Sequence, residues 1–121
     1  MNRFLTAISA GAVALMLSSG AYAATTSPVT AAQIEAAKTP ADHEAIAAAF
    51  DQEAARLEGL AKEHEKMANS YQAHGSKVGP EAASMRAHCA KLAKQYSEAA
   101  KENRELAKEH RAMKEHADHQ M

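Results

Sequence analysis

The sequence predicts an all-α protein: an antiparallel two-helix hairpin, coiled-coil-like and internally duplicated, completed to a helical bundle by self-association. Three observations predict it. The stretch 41–67 returns 46 residues later as 87–113, with Leu60-Ala61-Lys62-Glu63-His64 and Met67 repeated letter for letter as Leu106-Ala107-Lys108-Glu109-His110 and Met113. Such repeats fix architecture before any local reading does. Apolar residues then advance by threes and fours through both copies, which is helical periodicity. Finally, the chain has no Trp, only 4% aromatic residues, and abundant Ala, Glu and Lys, a composition that favours long helices over a thick globular core.

The elements follow in order. Met1-Asn2-Arg3 gives a positive start, Phe4 to Leu17 an apolar stretch, and Ala21-Tyr22-Ala23 a small-x-small cleavage site. That order predicts a secretory signal peptide over 1–23, with cleavage after Ala23 and a periplasmic or secreted product. The apolar stretch is too short for a membrane span, which needs about 20 residues, so no membrane association is expected after cleavage. Taking 23 from 121 leaves 98 residues, enough for one small domain. Residues 24–38 read as a tether, in which Thr30-Ala31-Ala32-Gln33 has the spacing of a capping box and could start a short helix.

The hairpin occupies 39–121. Thr39 is the expected N-cap of the first long helix, with Pro40 at its first position and Asp42 in its first turn. The helix should reach Ala73 or His74, where Gly75 offers a left-handed cap. The turn is expected at 75–80, centred on Ser76 to Gly79, with Pro80 opening a second helix that runs to about Ala117. The seam is read as Ile46, Phe50, Leu57, Leu60, His64, Met67 and Tyr71 against Met85, Cys89, Leu92, Tyr96, Ala99, Asn103, Leu106, His110 and Met113. Because 46 is not a multiple of seven, the seam changes phase between the copies, so the chain folds back instead of forming one rod. Folding there pairs residues whose numbers sum to about 156: Met67 with Cys89, His64 with Leu92, Glu53 with Asn103, Ile46 with His110, His43 with Met113. Ala47-Ala48-Ala49 and Ala54-Ala55 would give a second close-packing surface, and a dimer forming a four-helix bundle would bury it. The pairs Glu58/Lys62, Glu63/Lys66, Glu98/Lys101 and Glu105/Lys108 read as a solvated face.

Charge excludes one class of partner. Removing Arg3 from the 14 basic residues leaves 13 against 15 acidic, and nucleic acid calls for a basic surface instead. Catalysis is not expected. His88 and Cys89 are successive residues and point about 100° apart on a helix, so they make no nucleophile–base pair. No phosphate loop or nucleophile elbow occurs.

Seven His and one Cys are the residues with ligand chemistry. The hairpin register gathers His64, Met67, Met85, His88 and Cys89 near the turn. It gathers His43, His110, Met113, His116, His119 and Met121 at the open end. Thiolate, thioether and imidazole together suit Cu(I), and imidazole-rich sets suit Cu(II), Ni(II) or Zn(II), so copper or nickel buffering is one expected function. The bland reading is that Met67, Met85 and Cys89 pack the seam and that the terminal His are solvated. No metal motif of established spacing is present. Seam His residues also make a pH-responsive module an alternative.

The Ala-Asp-His-Glu start, the Leu-Ala-Lys-Glu-His unit and the His-Cys pair resemble small exported bacterial helical-hairpin proteins. The resemblance spans Thr39 to Met113 and implies a fold and a compartment without an activity. Val29-Thr30-Ala31-Ala32-Gln33 is similar to the Leu-Thr-x-x-Gln motif of periplasmic helical stress chaperones, with Val for Leu. The leading expectation is therefore an exported, non-enzymatic hairpin that acts by self-association or by binding envelope partners or client chains.

Overall fold

A computed structural model describes residues 29–120. The signal-peptide and cleavage-site readings, the first residues of the tether and Met121 lie outside the described residues. Among the described residues three helices follow in chain order: α1 (Ala31–Ala36), α2 (Pro40–Val78) and α3 (Ala82–Gln120). α2 and α3 pack against each other along their length as an antiparallel hairpin. No helix among the described residues is long and apolar enough to cross a membrane.

Both N-terminal caps form as their sequences dictate. The Thr30 hydroxyl accepts from Gln33 N while Gln33 Oε1 accepts from Thr30 N at 2.8 Å. Thr39 and Asp42 do the same for α2, and Lys38 N also donates to Asp42 Oδ2. Each box satisfies backbone donors that a helix start leaves unpaired. These bonds hold the Asp42 carboxyl below its usual range, the Lys38 amide contributing most.

The turn is tighter than expected and lies further along the chain. Gly75 does not cap α2. The backbone is distorted at His74 (φ −120°, ψ 16°), yet the helix continues to Val78. Gly79 ends it, with φ +117°, a conformation open to Gly and strained for any side chain. Gly79 N donates to Gly75 O, Ala82 N to Gly79 O, and Met85 N to Glu81 O. Gly75 instead serves close approach, because a Cβ there would sit 3.4 Å from the Ala82 Cβ across the turn.

The register matches the expected sum, and Ile46, Phe50, Leu57, Cys89 and His110 are buried as expected, but alanines close the seam beside them. On α2 the buried rail is Ala47, Ala54, Ala61 and Ala68; on α3 it is Ala93, Ala100 and Ala107, each spaced by seven. Phe50 and Leu57 fill the alternate layers of α2, with Ala82, Cys89 and His110 buried on α3. Two small cores result: Ile46, Ala47, Phe50 and Ala107 with Val29, and Ala54, Leu57 and Ala100. Met67, Met85, Leu92, Leu106 and Met113, read from sequence as seam residues, stand 43, 40, 37, 40 and 46% exposed. The reason is steric. Helix separation depends on the side chains at the contact, and alanine lets two backbones close where Leu or Met would hold them apart. The Ala47 and Ala54 faces are thus the primary interface and not a second surface.

Candidate functional site

The hairpin has two unlike edges, and both follow from the seven-residue spacing. Positions flanking an antiparallel seam meet their own kind across it. One edge collects Glu44, Asp51 and Glu58 from α2 with Arg104, Arg111 and Lys114 from α3. Arg104 Nη2 donates to Glu58 Oε1 at 2.8 Å, and its Nη1 lies 3.8 Å from Asp51. Arg111 Nη1 donates to Asp51 Oδ2 at 2.7 Å, and Glu44 receives Arg111 and Lys114 at 3.5 Å each. Glu58 therefore pairs across the hairpin instead of with Lys62. Glu63 with Lys66 and Glu105 with Lys108 pair as the sequence suggested, while Glu98 takes Lys94. At their partial exposure such pairs are worth about 0.2–1 kcal/mol each, so the ladder sets register more than it adds stability. An open groove of about 570 Å³ continues this edge, lined by Glu65, Gln72, Arg86, Lys94 and Lys101 among others.

The opposite edge is apolar. Leu60 and Met67 precede the buried alanines of α2, and Leu92, Ala99 and Leu106 precede those of α3. Met85, Leu92, Ala99, Leu106 and Met113 are spaced by seven, so they form one stripe about 42 Å long at 1.5 Å per residue. Glu53 interrupts the α2 side, and its carboxyl accepts a bidentate pair of bonds from Arg56 at 2.8 and 2.6 Å. Those bonds hold Glu53 below its usual range. Asn103 is bonded elsewhere: its Nδ2 donates to Ala99 O on its own helix.

The structure brings together two of the ligand candidates. His43 Nδ1 and His110 Nδ1 lie 3.3 Å apart across the hairpin, with ring centroids 5.6 Å apart. His110 is 6% exposed and stacks on Phe50 at 5.7 Å. Burial lowers the His110 pKa first, the neighbouring His43 lowers it further, and Glu109 opposes both. Nearer the turn, His64 stacks on Tyr96 at 5.4 Å and its Nδ1 is buried without a hydrogen-bond partner. His64 thus meets Tyr96 instead of Leu92, and His43 meets His110 instead of Met113. Cys89 is a free, buried thiol. His88 and His116 are exposed, as are Met67, Met85 and Met113. Among the described residues no group of three or more His, Cys, Asp or Glu converges to hold a metal.

Sequence reasoning missed the cross-helix ladder of Arg104 and Arg111. Its signal was available in the spacing of Glu44, Asp51 and Glu58 against Arg104 and Arg111, both runs of seven. The chain matches no protein-family model, no curated protein and no solved structure.

Proposed function

We propose that this chain is an exported, non-enzymatic helical hairpin that acts by self-association, two copies closing their apolar edges into a four-helix bundle. The observation that carries the reading is the exposed stripe of Met67, Met85, Leu92, Leu106 and Met113, with half-buried Leu60 beside it, opposite an edge already satisfied by ion pairs. A rod-shaped stripe of heptad period fits best against another of the same length and period. Burying a Leu or Met side chain is worth about 1.5–3 kcal/mol. With some 40% of each still exposed, five such side chains from each of two copies supply roughly 6–12 kcal/mol. Association costs about 4–15 kcal/mol, so a dimer of modest affinity is expected. The same edge would take an amphipathic helix of an envelope partner or client chain as its alternative occupant.

Duplication of one helical unit accounts for the two ring stacks. Phe50 with His110 and His64 with Tyr96 exchange when 46 is added to the α2 residue and taken from the α3 residue. Export rests on the order of Arg3, the apolar stretch and Ala21-Tyr22-Ala23. The non-enzymatic reading is supported by open grooves lined with Lys, Arg, Glu and Gln, which cannot exclude water from a reaction.

Sedimentation velocity tests the reading. Wild-type protein is expected to dimerise, and Leu92→Glu with Leu106→Glu to weaken that by 50-fold or more, from about 2–5 kcal/mol of lost burial over both copies. Arg104→Glu, on the other edge, should leave the dimer nearly unchanged. A wild-type chain that stays monomeric, or a dimer that responds to Arg104→Glu and not to the apolar edge, refutes it.

A further inference from the structure

Among the described residues, two histidines meet across the hairpin at its open end. We propose that His43 and His110 form a two-imidazole site for a borderline divalent transition-metal ion, bound through Nδ1 of both rings. The inference stands independently of self-association, because both ligands belong to one chain.

Geometry comes first. The Nδ1 atoms lie 3.3 Å apart, within reach of a hydrogen bond from one ring to the other. With metal–nitrogen bonds of about 2.0–2.1 Å, the edge of a tetrahedron is about 3.3 Å. The existing separation therefore matches two ligands of one tetrahedral ion, and a small tilt of each ring turns both lone pairs onto it, with water in the remaining positions. The ligands are also held in place. His110 is buried and stacked on Phe50, and His43 sits on the first turn of α2, which the Thr39–Asp42 box fixes. Rings locked by packing have less rotamer freedom to lose on binding.

Electrostatics and ligand chemistry agree with that placement. Burial favours neutral His110, the form a metal needs. One carboxylate acts on the pair, Glu109 on His110, and it favours a cation there. When the two rings are neutral, one Nδ1 carries the proton of the bond between them. Metal binding moves that proton to Nε2 of the same ring, so both Nδ1 lone pairs are donated and no net proton is released. Among the described residues no thiolate or thioether shares the site, since Met113 is exposed and Cys89 lies elsewhere on α3. The donor set therefore selects Zn²⁺, Ni²⁺ or Cu²⁺ over Cu(I).

Zn²⁺ titration of the purified protein, followed by calorimetry, tests the site. One Zn²⁺ per chain is expected, with affinity falling at least tenfold in His43→Gln and in His110→Gln. His116→Gln should leave the isotherm unchanged. Because His110 is buried and its replacement also disturbs the core, His43→Gln carries the test, with far-UV circular dichroism confirming helix content. Zn²⁺ should also raise the melting temperature of wild type and not of His43→Gln, since an ion that binds only the folded state stabilises it. Absent stoichiometric binding, an isotherm unaffected by His43→Gln, or one abolished by His116→Gln would overturn the proposal.

Discussion

Ala54→Leu probes the alanine rail directly. Ala54 and Ala100 are 0 and 2% exposed and pack with Leu57 in one core. Leucine adds three carbons to a position with no free volume. The helices must then separate or the side chain must leave its preferred rotamer. Overpacking of this kind costs about 1–3 kcal/mol. For a domain of this size each kcal/mol moves the melting temperature by about 4–8 °C, so a fall of roughly 4–24 °C is expected. The assay is thermal circular dichroism at fixed protein concentration, since association would make the midpoint concentration-dependent. Ala55→Leu, on an exposed position of the same helix, is the control and should stay within about 0.5 kcal/mol. Ala100→Leu should behave like Ala54→Leu, and the double variant should be non-additive because the two sites touch. If Ala54→Leu melts at or above wild type while Ala55→Leu does not, the seam is not closed by alanines.

Other outcomes follow from single positions. Gly59 lies inside α2 with nothing within 4 Å of where a Cβ would be, so Gly59→Ala should stabilise by about 0.5–1 kcal/mol in a urea titration. His110 has its pKa lowered from 6.5, chiefly by burial, so folding favours its neutral form. Stability should be complete above the unfolded value, fall as pH drops through about 6.5, and level off below the lower folded value. Unfolding curves in chelator-treated buffer should show that slope in wild type and lose it in His110→Phe. Cys89 is buried, so a thiol reagent should react slowly with native protein and at once in denaturant; equal rates would contradict its burial.

Much of this hairpin is legible in its sequence, for reasons tied to particular residues. Thr39 with Asp42 and Thr30 with Gln33 announce their caps because the chemistry is local. The fold-back and the pairing sum are legible because the repeat constrains both helices at once. The composition of the seam is not, because apolar periodicity ranks Leu92 and Leu106 above Ala93 and Ala100. Close helix packing reverses that order, moving the rail by one residue and carrying Met67, Met85 and Met113 out to an edge. The expected ligand clusters depended on those methionines facing inward, so they dissolve with the rail. His43 and His110 survive as neighbours because both lie in the alternate layers of the seam, in line with Phe50 and Cys89. The turn was misread since Gly75 and Gly79 look equivalent as letters, and only the backbone distinguishes the φ of +117° at Gly79.

The most direct test measures whether one chain folds back on itself. Spin labels at positions 48 and 112, both exposed, would be placed in a Cys89→Ala background and diluted with unlabelled protein so that only intramolecular pairs report. Helix axes about 8–10 Å apart predict a label separation on the order of 20 Å. A separation approaching the roughly 96 Å of a continuous helix over the same residues would contradict the hairpin and everything built on it.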